Sequence, residues 1–547
     1  MYLTITLYTL NMTEKSTSNN KYLPIIFSFV LIIGIILGIF LSGTLQKKNL
    51  FSVKNQRYDK INDVINFALQ DYVDTVSKDK LEEKAINGML QGLDPHSAYI
   101  PLEEFNEVND PLMGNFEGIG VQFRIQNDTI MVVNTVSGGP SEKIGVKAGD
   151  RIVKVDGKNV AGIGIKDTDV LKNLKGKKGS TVKISVFRRE VKHLIDFSIV
   201  RDVIPTYSID ISYMVDKQTG YIKLSKFSAT TTREFSNALK QLNQQGMQKL
   251  ILDLRGNGGG FLQSAIDVAD QFLTDGKLIV YTEGKNRPKQ YSYATNKGIA
   301  EKEALVVLID EWSASASEII AGAIQDNDRG LIIGRRSFGK GLVQEQFNLS
   351  DGSAVRLTVA RYHTPTGRCI QKSYNNGTEE YMKDLNQRYL NGEFENADST
   401  KFADSLKYTT PKGKIVYGGG GIMPDIYIPL HMDKNIEYYN QLINKGLIYQ
   451  FAFDYTDKYR NSFVQYKTTD DYINRFTVSN LMLNDFIEYA NKKGVSKNMK
   501  GFDASVVKIK ILLKAFIGRN IFDDKGFYPI YLQTDNAFIK AVGQLKK

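Results

Sequence analysis

The segment 304–344 constrains the fold of this chain most, because two strand patterns flank one helix pattern in it. The apolar runs Leu305–Ile309 and Leu331–Ile333 have the apolar, β-branched content of buried strands. Between them, the isoleucines and alanines of 319–324 are spaced for one face of a helix. A second strand-helix-strand pattern runs from 221 to 254. Strands and helices in this order predict an α/β core.

In this segment a serine lies where the first strand turns into the helix, and a lysine follows the second strand. Ser315 is that serine, and Lys340 stands between two glycines. A serine hydroxyl is a poor nucleophile until a base takes its proton, and a buried lysine can be that base because burial favours its neutral form. The first N–H groups of a helix also suit a developing oxyanion. A second interpretation remains open, since Ser315 and Glu318 match the S-x-x-E capping box of many non-catalytic helices.

Two motifs of the segment together resemble a protease signature. SASASE, followed by a helix pattern and then by FGKG and a glutamine, is similar to the signature of the C-terminal processing peptidases, also called tail-specific proteases. The resemblance implies that Ser315 is the nucleophile, Lys340 the general base and Gln344 the support of that lysine. It extends from Tyr58 to Pro429, where the motif YGGGGIMPDIYIP ends the similar region.

A glycine cluster, 256–260, follows the buried-strand pattern that ends at Leu254. Glycines allow a backbone to approach a substrate closely. The resemblance to the tail-specific proteases implies that one amide of the oxyanion hole comes from Gly259, for which Gly260 is the rival. The other amide is then that of Ala316.

The residues just before this cluster, Asp253 and Arg255, are expected to be scaffold residues. No dinucleotide fingerprint accompanies them, because G-x-G-x-x-G counted from Gly256 would need glycine where the chain has Phe261. A single cysteine, Cys369, excludes an intrachain disulfide framework and a CxxC zinc site. The histidines have no HExxH spacing; they are His96, His193, His363 and His431. We therefore expect no metal and no organic cofactor.

The basic residues exceed the acidic ones and give a net charge of +11, but they are scattered along the sequence. Scattered charge favours solubility over a nucleic-acid interface, so no nucleic-acid partner is expected. The expected partners are proteins or peptides with free C-termini.

Residues 116–200 contain short strand patterns, turn signals and one helix pattern at 167–174. The strand patterns are GIGVQFRI, TIMVVNTV, DRIVKVDG and TVKISVFRR. The segment resembles a PDZ domain over its whole length. The resemblance implies that the loop Gly118, Ile119, Gly120 and Val121 binds the terminal carboxylate of a peptide through backbone N–H groups.

The N-terminal part contains an almost unbroken apolar run, 22–43, long enough to cross a bilayer as a helix. It predicts an uncleaved transmembrane anchor after an N-terminal tail, 1–21. Helical periodicity marks the next region, 44–115. Because long domains translocate largely regardless of charge, we expect the catalytic part outside the cytoplasm, in the cell envelope, anchored to the inner membrane and periplasmic.

Two histidines offer alternatives to the lysine. His96 and Ser97 lie in the motif LDPHS, which could be a hydrolytic dyad, but no acid is placed to orient the histidine. A structural role is favoured, and the tail-specific proteases carry LDPHS as a structural element. His363, on a predicted hairpin that turns at Asp351 and Gly352, is the best candidate for a Ser-His pair.

The protease core is predicted at 201–430 and is followed by a mostly helical extension, 431–547. Ala504–Phe516 is amphipathic, and Asp535–Leu545 fits another helix. No catalytic motif lies in the extension, so packing or homo-oligomerisation is its expected role.

The predicted protein is thus a multidomain α/β enzyme: a membrane-anchored serine endopeptidase that processes or degrades proteins from their C-terminal tails by a Ser-Lys dyad. One alternative is a catalytically silent PDZ scaffold that binds C-terminal peptides, which the intact Ser315, Lys340 and Gln344 disfavour. A lipase-like esterase is disfavoured because no G-x-S-x-G elbow surrounds the serine.

Overall fold

The computed structural model describes residues 22–45, 59–189, 191–399, 403–430 and 436–547. The chain divides into two compact units, Met1–Ala85 and Ile86–Lys547. The first unit holds helices α1 (Leu23–Leu45) and α2 (Lys60–Asp71) and the beginning of α3 (Lys78–Gln91).

The predicted N-terminal tail, 1–21, lies outside the described residues. In the part of the chain whose residues are described, no helix is both long and apolar enough to cross a bilayer. The transmembrane segment predicted at 22–43 is therefore not supported.

The second unit begins with β1 (Ala98–Ile100), α4 (Phe105–Met113) and β2 (Asn115–Gly118), and continues into a small β-domain. Its elements are β3 (Val121–Ile125), β4 (Ile130–Thr135), α5 (Pro140–Lys143), β5 (Arg151–Val155), β6 (Lys158–Asn159), α6 (Asp167–Leu174), β7 (Thr181–Phe187) and β8 (Ile195–Val200). The sheet order is β3-β4-β5-β7-β8, with β6 paired to β5. The helix predicted at 167–174 is confirmed as α6. β9 (Asp202–Pro205) pairs with β2, which brings the entry and exit of this domain together.

A six-stranded sheet forms the centre of the second unit, in the order β10-β11-β12-β15-β16-β21. Its strands are β10 (Ile209–Met214), β11 (Thr219–Leu224), β12 (Lys249–Asp253), β15 (Ala304–Ile309), β16 (Leu331–Gly334) and β21 (Ile426–Tyr427). β10 is antiparallel to β11, and the other neighbours are parallel. The strand-helix-strand units predicted from sequence are confirmed, with α7 (Thr231–Gln244) and α9 (Ala316–Asp326) as connecting helices.

A second sheet carries the predicted hairpin. β17 (Leu342–Asn348) pairs antiparallel with β18 (Ala354–His363) across the turn at 349–353. β18 also pairs with β1 and with β13 (Leu278–Gly284), which pairs with β14 (Arg287–Tyr293). The remaining elements of this part are α8 (Leu262–Asp270), α10 (Thr378–Leu390), β19 (Lys407–Thr409) and β20 (Ile415–Tyr417).

The extension after 436 is helical, as predicted. It comprises α11 (Glu437–Asn444), α12 (Leu447–Lys458), α13 (Thr469–Arg475), α14 (Asn480–Lys492), α15 (Met499–Tyr531) and α16 (Asn536–Leu545). α15 bends at Phe522 and Asp523, whose backbone angles are not helical. Its aromatic-rich core includes Phe451, Tyr472 and Phe486.

The central sheet is apolar on both faces, as expected for parallel strands. Successive side chains point to opposite faces, so Leu250 and Leu252 pack with α7, α8 and α9, whereas Ile251 faces the other side. That other face is covered by α16. Its apolar side chains pack against the strands in one cluster: Ala537, Phe538, Ala541 and Leu545 against Tyr221, Ile251, Val306, Leu308 and Ile333.

The helical extension also contacts the small β-domain through an ion pair, a hydrogen bond and a cation–π contact. Arg151 lies 3.1 Å from Asp457, Gln126 donates to Asp454 (3.0 Å), and the Arg124 guanidinium lies 4.1 Å from the centre of the Tyr449 ring. The extension therefore packs against both other parts of the second unit, which agrees with the packing role predicted for it.

We predict that Phe538→Ala destabilises the protein strongly. The Phe538 ring packs edge-on against Tyr221 at 5.5 Å, and removing a buried phenylalanine side chain typically costs about 3–5 kcal/mol. The matched control is Ile539→Ala, because Ile539 is 50% exposed on the same helix. Denaturant unfolding of both variants measures the difference. Equal, small losses would contradict the role given to α16.

Candidate active site

Ser315 is the last residue of the loop 310–315, which connects β15 to α9. Its backbone angles are φ 55° and ψ −112°, a region that residues other than glycine rarely adopt. Such strain costs on the order of 1–3 kcal/mol and persists only where the surroundings hold it in place. Every residue of the following helix is buried. Ser315 thus lies on a strained turn at the N-terminus of a fully buried helix.

Glu318, in the first turn of α9, is fully buried and accepts four hydrogen bonds. Its Oε2 atom accepts from the backbone N–H of Ser315 (2.8 Å) and of Lys340 (2.9 Å). Its Oε1 atom accepts from the N–H of Gly339 (2.7 Å) and from the hydroxyl of Ser337 (2.5 Å). Burial raises the pKa of Glu318 to about 7, against the effect of these hydrogen bonds. One carboxylate therefore joins the serine turn to the lysine turn.

Tyr362 makes a second link between the two turns. Its buried hydroxyl donates to the carbonyl oxygen of Ser315 (3.1 Å) and to that of Lys340. Because Tyr362 lies on β18, the hairpin of the second sheet helps to fix the distance between the serine and the lysine.

The environment of Lys340 favours its neutral form. Burial lowers the pKa of Lys340 below the ordinary value for lysine, and the positive charge of Arg356 lowers it further. The negative charges of Glu318 and Asp94 oppose this shift. The net direction is the one that a general base near neutral pH requires.

Gln344 lies on β17 and donates from Nε2 to the hydroxyl of Thr358 (3.3 Å). The Thr358 hydroxyl in turn donates to Asp94 Oδ1 (3.0 Å), and Asp94 accepts from the hydroxyl of Ser97 (2.6 Å). The LDPHS motif thus braces the strand opposite Gln344, in agreement with the structural role favoured for it.

Neither candidate histidine forms a hydrogen bond with Ser315 in the described part of the chain. His96 Nε2 forms a hydrogen bond with the Tyr381 hydroxyl (2.8 Å). Burial and the charge of Lys340 lower the pKa of His96 to about 4. His363 Nδ1 forms a hydrogen bond with the carbonyl oxygen of Gly367 (3.1 Å). Both histidines are therefore engaged with other partners in this structure.

The glycine cluster lies against the serine turn. A Cβ atom on Gly259 would lie 2.8 Å from the Cβ atom of Ser315, so only glycine fits there. The N–H of Gly259 donates to Asn257 Oδ1 (2.9 Å). Gly260 lines the same cleft as Ser315 and Ala316. The residues predicted to form the oxyanion hole are therefore brought together around Ser315.

The cleft at this site has a volume of about 640 Å³. Ser315 and Gln344 both line it. Apolar side chains form much of its wall: Phe261, Leu262, Ile266, Ile319, Leu342 and Val343. A ligand with apolar groups would fit such a surface. Among the described residues, no group of three or more His, Cys, Asp or Glu side chains is placed to hold a metal ion.

The predicted peptide-binding loop lies in the small β-domain. Gly118 ends β2 and pairs with Asp202. The carbonyl oxygen of Ile119 accepts from the N–H (3.2 Å) and the hydroxyl (2.6 Å) of Ser141. Gly120 has φ 73° and Val121 begins β3, the end strand of its sheet. The loop is thus fixed next to an outer strand edge, where a peptide strand can be added.

Family models match three parts of the chain that correspond to these sites. Residues 218–381 match peptidase family S41, residues 118–199 match the PDZ domain, and residues 42–103 match the N-terminal domain of the activating protease CtpB. The carboxy-terminal processing protease CtpA of Bacillus subtilis is 37% identical over 353 residues, which cover 63% of this chain and 75% of that protein. The chain belongs to the carboxy-terminal processing proteases. It is a serine-type peptidase with a PDZ domain.

Two further proteins are similar to this chain. The carboxy-terminal-processing protease of Bartonella bacilliformis is 36% identical over 62% of this chain and 80% of its own length. The structure of the photosystem II D1 C-terminal processing protease is 26% identical and covers 68% of this chain and 87% of its own, with a TM-score of 0.36. Residues 438–523 match a family of unknown function.

Sequence reasoning missed two residues of this carboxy-terminal processing protease's site. Glu318 was visible only as the last member of a capping box, and its bonds to 337–340 depend on the fold. Tyr362 lies in a β-strand pattern with no signal of its own. Both residues form hydrogen bonds with backbone atoms of Ser315 and Lys340. Contacts of this kind cannot be predicted from a local sequence motif.

Proposed function

We propose that this protease cleaves its substrates by a Ser-Lys dyad, with Ser315 as nucleophile and Lys340 as general base. One observation carries the proposal. Ser315 sits on a strained turn facing the cleft, and the carboxylate of Glu318 binds that turn and the turn of Lys340 together. A carboxylate that only capped the helix would not need to bind the backbone N–H of Lys340 as well.

The reaction follows from these positions. Neutral Lys340 takes the proton of the Ser315 hydroxyl as its oxygen attacks the scissile carbonyl carbon. Protonated Lys340 then gives that proton to the leaving amine as the C–N bond breaks, which leaves an ester on Ser315. Water then attacks the ester as Lys340 takes one of its protons, and Lys340 returns that proton to the Ser315 oxygen as the acyl C–O bond breaks and the acid product leaves. Gln344, which lines the cleft, supports Lys340 in this proposal.

Backbone N–H groups stabilise the oxyanion. Ala316 supplies one from the first position of α9, where the helix dipole adds to it. For the second, Gly260 is a better candidate than Gly259, because the N–H of Gly259 already donates to Asn257 whereas Gly260 lines the cleft.

Ser315→Ala is expected to abolish cleavage without unfolding the protein. Lys340→Arg is expected to be equally inactive, because a guanidinium keeps its proton in this pH range. His363→Ala should keep most activity. Peptide cleavage followed by mass spectrometry measures all three variants, and thermal unfolding checks that each is folded. An active Lys340→Arg together with an inactive His363→Ala would replace the dyad by a Ser-His pair.

Arg356→Gln is expected to move the pH–rate profile to higher pH. The Arg356 charge disfavours the ammonium form of Lys340, so its removal raises the lysine pKa and lowers the neutral fraction at a given pH. Arg361→Gln is the matched control, because Arg361 lies on the same strand and does not shift the Lys340 pKa. The pH dependence of kcat/KM measures the effect. A profile that stays in place, or shifts equally in the control, would contradict the role of Lys340.

The PDZ domain recognises the free C-terminus of the substrate in this proposal. Its support is the loop 118–121 beside the outer edge of β3. Charge-assisted hydrogen bonds are worth roughly 1.5–3 kcal/mol, so amidating a peptide's C-terminus should weaken binding about ten- to a hundredfold. Calorimetric titration of folded Ser315→Ala protein with a matched acid and amide pair measures this. Equal affinities for the acid and the amide peptide would contradict recognition of the free C-terminus. They would not bear on the proposed Ser-Lys dyad.

We also propose that the N-terminal segment anchors the enzyme to a membrane and that the catalytic part lies outside the cytoplasm, in the cell envelope. The support for this anchor is the apolar run 22–43 of the sequence alone, since no helix among the described residues is long and apolar enough to cross a bilayer. Fractionation of cells that express the full chain or a chain without 1–48 tests it. Recovery of both proteins in the soluble fraction would remove the anchor.

A further inference from the structure

The helical extension reaches the catalytic core at one ion cluster. Arg255, the third residue of the DLRGNGG motif, lies between Asp253 of the core and Asp535 at the start of α16. Asp253 is fully buried, and the Arg255 and Asp535 side chains are 19% and 11% exposed. The cluster is therefore largely screened from water.

The guanidinium of Arg255 uses all of its nitrogens in this cluster. Nε and Nη2 donate to Asp253, with the shortest distance 2.6 Å. Nη1 donates to both carboxylate oxygens of Asp535, at 2.9 and 2.8 Å. Although burial opposes it, the charges of Arg255 and Lys223 hold the pKa of Asp253 low. Asp535 supplies the second negative charge that the buried group of cations needs.

Arg255 immediately precedes the glycine cluster 256–260, which forms a loop after β12 (the glycine loop). Its N–H donates to Asp253 Oδ1 (3.0 Å), and its carbonyl oxygen accepts from the ammonium group of Lys223. The loop then runs to Gly259, which leaves no space for a side chain against Ser315. Arg255 thus lies four positions before Gly259 and five before Gly260 in the same loop.

Asp535 is itself held rigidly. It is the N-cap of α16, because its Oδ1 atom accepts from the N–H of Phe538 (2.8 Å). Phe538 is buried under the central sheet. The packing of the last helix thus sets the position of Asp535. Its carboxylate accepts hydrogen bonds from Arg255 at that position.

We propose that Asp535 is a positioning residue of the protease: it holds Arg255, and through it the glycine loop, in the place where the loop can stabilise the oxyanion. The helical extension then contributes to catalysis in addition to covering one face of the central sheet. The inference rests on the proposed role of the glycine loop. Arg255 then has a function beyond the scaffold role that was expected for it.

A purely structural ion pair is the competing interpretation, since Asp253 already binds two of the guanidinium nitrogens. The two interpretations differ in what the loss of Asp535 changes. A structural pair affects the free energy of unfolding and leaves turnover alone. A positioning residue affects the transition state, whereas the ground-state affinity for substrate stays nearly constant.

Asp535→Asn and Asp535→Ser in the full-length protein separate these effects. Asn and Ser are good N-caps, so α16 keeps its first turn, but neither offers Arg255 a carboxylate. We expect kcat to fall about ten- to a hundredfold with KM nearly unchanged. The affinity for a substrate-like peptide boronic acid, which forms a tetrahedral adduct with the serine, should fall by the same factor. Asp535→Glu should restore part of the activity.

Ser479→Ala is the matched control for stability, because Ser479 caps α14 of the same extension through the N–H of Met482 (3.2 Å). It should lower the melting temperature without changing kcat. Unchanged kcat and boronic-acid affinity in folded Asp535→Asn would overturn the proposal, as would an equal loss of kcat in Ser479→Ala. Failure of the dyad shows itself separately, as an active Ser315→Ala or Lys340→Arg protein.

Discussion

The active site depends on one buried carboxylate. Glu318 receives two hydrogen bonds on each oxygen, from the turn that carries Ser315 and from the turn that carries Lys340. Only the ionised form can accept from all of these donors, and burial places its pKa near neutrality. Because the two turns follow different strands of the central sheet, this carboxylate and the hydroxyl of Tyr362 set their separation. The strained backbone of Ser315 is sustained by the same contacts.

A second constraint comes from the two apolar faces of the central sheet. The strands alternate their side chains between α7, α8 and α9 on one face and α16 on the other. A sheet of parallel strands needs both covers, and here the last helix of the chain supplies the second one. The helical extension that carries α16 also contacts the PDZ domain through Asp457 and Tyr449. The catalytic sheet and the PDZ domain are therefore joined through the extension within the second unit.

Local patterns were sufficient for much of the fold and of the site. The strands that flank Ser315, the hairpin of β17 and β18, and the helix at 167–174 all follow from periodicity and turn residues, and the motifs around Ser315 and Lys340 placed the candidate dyad. Contacts between distant segments could not be predicted in this way. Glu318 binds residues 19 to 22 positions later, and Asp535 binds Arg255 from 280 positions away. The periodicity of apolar residues along the sequence cannot predict a contact that forms only once the sheet has brought distant segments together.

The most direct test of the account is the reaction of Ser315 with a serine-directed phosphonylating probe, mapped by mass spectrometry at several pH values. The account predicts a single adduct on Ser315 that forms faster as the pH rises and that Lys340→Arg nearly abolishes. Labelling of Ser315 at the same rate in Lys340→Arg, or an adduct on Ser97 in its place, would contradict it.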